Sequence, residues 1–286
     1  MATAKDLAKS LSEGEGAGLE PARNTLKSLL ESVNVKGRFQ DMLGKKAAGF
    51  MSSIISVTNQ NKLLATADPM TIISAAAIAA SLDLPILPAL GFAHIVPYRD
   101  NATGKVIAQF QMGWRGYVQL AQRTGLYKTM HAGTLAEGQL VKTDILSGEI
   151  TVNENGKKSD TVVGFFAHFE LLNGFVKTVF ITAEDAKKHG KRYSKSFDKG
   201  QWTKDGASFE AMATKTAVKR LLGRWAPLSA DYQMQKALQL DQAVVKEIDG
   251  TPAYPDSGEA IEAETVSKET GDAIEFAPEL PEVGKK

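Results

Sequence analysis

The sequence predicts an α+β protein with a helical N-terminal lobe, an antiparallel sheet core with packed helices, and a disordered acidic C-terminal tail. Three observations carry this reading. Apolar residues recur at helical spacing through residues 24–65. Two apolar runs meet at Asn173-Gly174, the strongest short hairpin signal. Residues 249–286 combine prolines and ten acids with few apolar residues, a composition that cannot build a core. The chain therefore divides into a flexible arm (1–20, with Gly14, Gly16 and Gly18), a core (21–248) and a tail (249–286).

In chain order, Leu26, Leu29, Leu30 and Val33 form a first helical stripe. Phe39, Met42 and Leu43 form a second that stops near Gly44, and Phe50, Ile54 and Ile55 form a third. Asp68-Pro69 starts a helix over 70–82, because Asp can cap and Pro suits the first turn. That helix is alanine-rich and apolar nearly all round, which places it in the core. Residues 92–98 and 105–112 read as strands around a loop, 114–123 as a helix closed by Thr124-Gly125, and 127–135 and 149–152 as strands. The hairpin at Asn173-Gly174 joins 162–172 to 175–181. Thr182 and Asp185 make a capping box for a short helix over 183–189. Residues 190–206 read as loop, and 207–225 and 230–248 as helices.

The 286 residues carry 34 bases and 33 acids, a formal charge of +1. That balance hides an asymmetry. The tail holds ten acids against three bases, net −7, leaving 31 bases against 23 acids, net +8, in residues 1–248. A basic body points to a polyanionic partner. There is no cysteine, which excludes disulfides, thiolate nucleophiles and cysteine-ligated zinc. No signal peptide is visible, and the most apolar stretch, 70–80, is far short of the roughly 20 residues that span a bilayer. A soluble cytoplasmic protein without membrane attachment is expected.

Motifs of covalent chemistry are missing. No P-loop, no strand-linked G-x-G-x-x-G and no G-x-S-x-G elbow occurs. His94, His131, His168 and His189 are widely spaced, and Glu184-Asp185 reads as negative charge at a helix start. The positive signal lies between Lys177 and Arg224, where twelve bases stand against five acids, net +7, with Tyr193, Phe197 and Trp202 among them. Cations can follow a phosphate backbone while flat rings stack on bases. An ordinary solvated face with rings as core anchors would show the same composition. On the helix over 207–225, Ala211, Val218, Leu221, Leu222 and Trp225 read as the packed side, and Lys215, Lys219, Arg220 and Arg224 as lying outside it. A second cluster, 109–117, brackets a strand-to-helix junction with Gly113 and Gly116. Trp114, Arg115 and Tyr117 would sit in a first turn whose free N–H groups suit phosphate; the alternative is a tight turn with Trp114 and Tyr117 packed inside, and of these Trp114 reads as packed and Arg115 as the functional residue.

Several ordered stretches resemble the RecT family of phage single-strand annealing proteins. They are Asp68-Pro69-Met70 with its alanine-rich helix, Leu82-Asp83-Leu84-Pro85, the run 91–98, the run 109–117 continuing to 120–125, Asn173-Gly174-Phe175, Trp202, and 209–216 with Lys219-Arg220. Trp114 stands where the family pattern suggests Tyr. The resemblance covers about 68–229. It implies ATP-independent binding of single-stranded DNA, annealing of complementary strands and retention of the annealed duplex during homologous recombination. It implies a homo-oligomer, ring or filament, joined through the N-terminal lobe. It also implies partnership with a 5′-to-3′ exonuclease and the host single-strand-binding protein, no required cofactor, and no covalent chemistry. The DNA-binding set expected from residues and resemblance together is Arg115, Tyr117, Lys191, Lys195, Trp202, Lys204, Lys215, Lys219, Arg220 and Arg224, with no catalytic or metal-binding residue. The competing readings are a metal-dependent nucleic-acid enzyme, which would need clustered carboxylates, and a basic oligomeric scaffold for an acidic protein.

Overall fold

The computed structural model of the chain describes residues 25–100, 103–144, 148–194, 197–199, 201–203, 205–227 and 232–254. The expected arm (1–20) and the tail beyond 254 lie outside them.

The N-terminal lobe is α1 (Leu26–Glu31), α2 (Val33–Leu43) and α3 (Ala47–Gln60), with Gly44 closing α2 at φ +54°. All three pack on α4 (Pro69–Ser81). As the sequence predicts, Asp68 caps α4, its carboxylate accepting from the Met70 amide at 2.9 Å, and Pro69 opens the helix. Every residue from Thr71 to Ala80 is buried. Three isoleucines, Ile72, Ile73 and Ile78, supply bulk there, each stabilising the fold by roughly 1.5–3 kcal/mol, and the alanines let neighbouring elements approach. Beyond the end of α4, Arg123 donates to the Leu82 and Asp83 carbonyls, both at 2.8 Å.

Three antiparallel sheets follow where the sequence suggested one sheet core. β1 (Ala93–Arg99) pairs with β2 (Val106–Met112), β3 (Tyr127–Ala136) with β6 (Val162–Leu171), and β6 with β7 (Val176–Thr182). The third is a hairpin of β4 (Leu140–Thr143), unforeseen in the sequence, and β5 (Ile150–Val152). α5 (Trp114–Arg123) separates the first two sheets. The free edge of β2 is covered along its length, which removes an unpaired strand edge. Val106 accepts from the Asp68 amide at 2.9 Å, Ala108 donates to Thr71 Oγ1 at 2.8 Å, and Phe110 exchanges backbone bonds with Gln242 and Ala243.

α6 (Ala183–Tyr193) begins at the Thr182–Asp185 capping box as expected, but runs four residues past His189. α7 (Gly206–Trp225) is capped by Asp205, which accepts from the Ser208 amide at 2.6 Å. The expected helix over 230–248 is shorter: α8 (Tyr232–Leu240) stops before Asp241, because the backbone beyond it bonds to β2 instead. The tail boundary also moves. Asp249 pairs with Arg38, Ala253 bridges to Val244, and the Tyr254 hydroxyl donates to the Gln239 carbonyl, so residues 249–254 belong to the body.

Candidate nucleic-acid interface

α7 is the helix with most of the expected site residues. Its interior side is Ala213, Thr214, Lys215, Thr216, Ala217, Val218, Leu221 and Leu222. Ala211 and Trp225, expected on that side, are exposed. Lys215 is buried, with its ammonium 2.8 Å from Asp241 Oδ1. The same oxygen accepts from the Met112 amide at 2.9 Å, and Oδ2 accepts from Lys219 at 3.0 Å. Asp241 thereby ties α7, the end of β2 and the C-terminal segment together at one point.

The charges there are strongly coupled. Burial alone would raise the Asp241 carboxyl, but Lys215 and Lys219 outweigh it and hold the group below the usual carboxylate range. Burial pushes the Lys215 ammonium down, with Asp241 opposing that shift. Tyr117 is fully buried nearby, its hydroxyl pushed well up by burial and then by the Asp241 charge.

Three expected DNA contacts are therefore corrected. Lys215 is neutralised within an interior ion pair. Tyr117 is enclosed beneath the first turn of α5. Trp202 is buried between Phe197 and Phe209, with ring centroids 6.3 and 5.9 Å away, and lies against Gly190, where a Cβ would stand 2.7 Å from the indole. An enclosed ring has no free face for a base. Lys195 and Lys204 lie outside the described residues.

The remaining cations do gather. Lys219, 39% exposed at its side chain, and Arg220 line a cavity of about 100 Å³ with His189 and Tyr193. Arg192 and Lys191 follow on α6, and Arg224 lies one turn beyond Arg220 on α7. Lys191, Arg192, Arg220 and Arg224 are exposed, and no carboxylate pairs with any of them among the described residues. Tyr193 is 46% exposed and its ring lies 4.6 Å from that of His189. Arg115 is exposed at the start of α5, its guanidinium 5.6 Å from the Trp114 centroid. Gly113 and Gly116 let that helix start abut residues 91–92: a Cβ on either would overlap the Gly91 or Phe92 carbonyl. Asp241, His189, Arg192 and Tyr193 are the site-forming residues absent from the expected set.

His189 reports the local field. Its Nδ1 is 3.3 Å from the Arg220 guanidinium, and burial, then Arg220, Lys219 and Arg192, push it down to about 4. Between pH 6.5 and 4 the unfolded chain therefore binds a proton that folded His189 does not, so stability falls as pH drops through that window. His189→Gln should flatten this part of the stability–pH curve in urea denaturation. Superimposable curves would show that His189 is not held neutral.

Among the described residues no group of three His, Cys, Asp or Glu is placed to hold a metal ion, and no helix is long and apolar enough to cross a membrane. Unpaired cations on two adjacent helices, beside an exposed ring, form a surface of the kind that can follow a phosphate backbone. The chain belongs to the RecT family, whose profile matches residues 48–255, and is thus a DNA-binding, strand-annealing protein of recombination. It is 44% identical over 245 residues to the uncharacterized protein YqaK of Bacillus subtilis (strain 168), covering 86% of this chain and 81% of that protein. It is 27% identical over 199 residues to Protein RecT of Escherichia coli (strain K12), covering 68% and 71% respectively.

Proposed function

We propose that the protein anneals complementary single strands without nucleotide hydrolysis, cofactor or covalent chemistry. Base pairing supplies the driving force, and the protein concentrates and aligns two polyanions that otherwise repel. The observation that supports this most is the unpaired cationic rim of Lys191, Arg192, Arg220 and Arg224. It acts as a homo-oligomer in the cytoplasm of a bacterial host, beside a 5′-to-3′ exonuclease and the host single-strand-binding protein. Exposed Val33 and Leu63 on the N-terminal lobe support assembly through that lobe.

The test is annealing of two complementary oligonucleotides, one labelled, without ATP. The protein should accelerate duplex formation, bind unrelated sequences alike, and lose affinity with salt at a log–log slope of about −0.7 per neutralised phosphate. A flat salt series, or no acceleration, would overturn the proposal in favour of a scaffold for another acidic partner.

A further inference from the structure

The three-stranded sheet has two unlike faces. One presents Ala132, Phe165, Ala167, Phe169 and Ile181, all buried, with Phe165 meeting Phe209 of α7 at 5.8 Å between ring centroids. Side chains alternate along a strand, so the opposite face carries the residues between them. Two cross-strand rows result: Gly133, Phe166 and Phe180, and beside it His131, His168 and Thr178. His131 is exposed and the other five are half-buried.

An antiparallel sheet with one solvated face normally alternates apolar inward and polar outward. Phe166 and Phe180 break that rule on adjacent strands, directly opposite one another. Each leans over a glycine. A Cβ at Gly164 would run into the Phe180 ring, and one at Gly133 would stand 3.4 Å from the ring of Phe166. The glycines leave room for the rings to lie close against the sheet, and both rings stay partly exposed. His131 adds a third ring, 5.3 Å from Phe166, and the His168 ring is fixed by a 2.8 Å bond between Nδ1 and Thr178 Oγ1. The strands place one carboxylate on this face, Glu170, and Lys128 pairs with it at 2.7 Å. Among the described residues of these strands, no uncompensated acid on this face repels a phosphate chain.

We propose that this face is a base-stacking platform: unpaired bases of single-stranded DNA lie on Phe166 and Phe180, with His131 at the edge. It is a surface separate from the cationic rim and supplies what phosphate contacts cannot, a preference for bases that are not already stacked in a duplex. The inference rests on the single-strand-binding reading. Its chemistry, flat rings interspersed with imidazole, hydroxyl and glycine, suits bases better than the contiguous aliphatic patch of a contact between protein copies.

The experiment compares a normal oligonucleotide with an abasic one of equal length, on wild-type protein and on Phe166→Leu/Phe180→Leu. Leucine keeps apolar bulk but has no flat face. Wild type should favour the base-containing strand, and the double variant should lose roughly tenfold or more on that strand and nothing on the abasic one. Equal wild-type affinity for both strands, or equal losses on both, would overturn the platform and leave phosphate binding intact. Wild type that binds neither strand would overturn the single-strand reading as well. An altered oligomer size with base preference unchanged would mark the face as a contact between copies and overturn the proposal. A second measurement holds even if the double variant fails to fold. Photo-crosslinking of a 5-iododeoxyuridine strand to wild type should give adducts on Phe166, Phe180 or His131, and adducts confined to α6 and α7 would refute it.

Discussion

Asp241→Ala is expected to destabilise the folded protein by about 3–5 kcal/mol, read from denaturant or thermal unfolding. Removing one member of a buried ion pair strands the other charge in low dielectric. Here Lys215, itself buried, would lose its carboxylate, and the Met112 amide would lose its acceptor. Asp241→Asn keeps an acceptor for that amide but no charge, and should fall between wild type and alanine. Lys215→Ala, at a position the sequence places outside the packed side of its helix, is expected to destabilise the fold, because the side chain is buried against Asp241. Lys215→Met should cost less, because its apolar stem fills the site without a charge. The pH dependence has a definite sign. The folded Asp241 carboxyl lies below its ordinary value, so its contribution is fully present above about pH 4 and is lost only as pH falls through the depressed folded value. Acid unfolding at pH 5 would therefore have another origin. A stability loss under 1 kcal/mol for Asp241→Ala would show that the C-terminal segment is not held at this point.

Where a structural rule is local, the sequence was enough. Asp68-Pro69, Asn173-Gly174 and the Thr182–Asp185 box each act within a few residues, and each appears in the fold. What it could not show depends on distant partners. Asp241 lies 22 and 26 residues from the lysines it neutralises, and no periodicity points to it. β4 is short and exposed, so it has no apolar alternation to read. In the sequence Trp202 and Tyr117 read as site residues, because an aromatic among charges looks the same whether its ring packs or stacks. Only Gly190 and the neighbouring phenylalanines settle that Trp202 packs. One signal of the buried lysine is present in the sequence. Lys215 stands three residues before Val218 and seven before Leu222, positions that share a helix face at 3.6 residues per turn. Arg220 and Arg224, four apart on the opposite side, are exposed as their spacing predicts.

That outward pair, with Lys191, carries the other large expected effect. Lys191→Ala/Arg220→Ala/Arg224→Ala should weaken binding of a labelled oligonucleotide by about a hundredfold or more near 0.1 M salt, at roughly 1 kcal/mol or more per lost charge-assisted contact. All three side chains are exposed and none pairs with a carboxylate among the described residues. Each substitution should therefore shift stability by under about 0.5 kcal/mol. The salt dependence separates phosphate contact from general disruption. Losing three contacts should make the log–log slope shallower by about 2, since each phosphate contributes about 0.7. Fluorescence anisotropy across a salt series measures affinity and slope together. Arg115→Ala, measured alongside, shows whether the start of α5 lies on the same path: a further shallowing of about 0.7 places it there, and an unchanged slope removes it. If the triple variant keeps the wild-type slope while its affinity falls, the rim does not meet phosphates, and the strand must follow a surface other than α6 and α7.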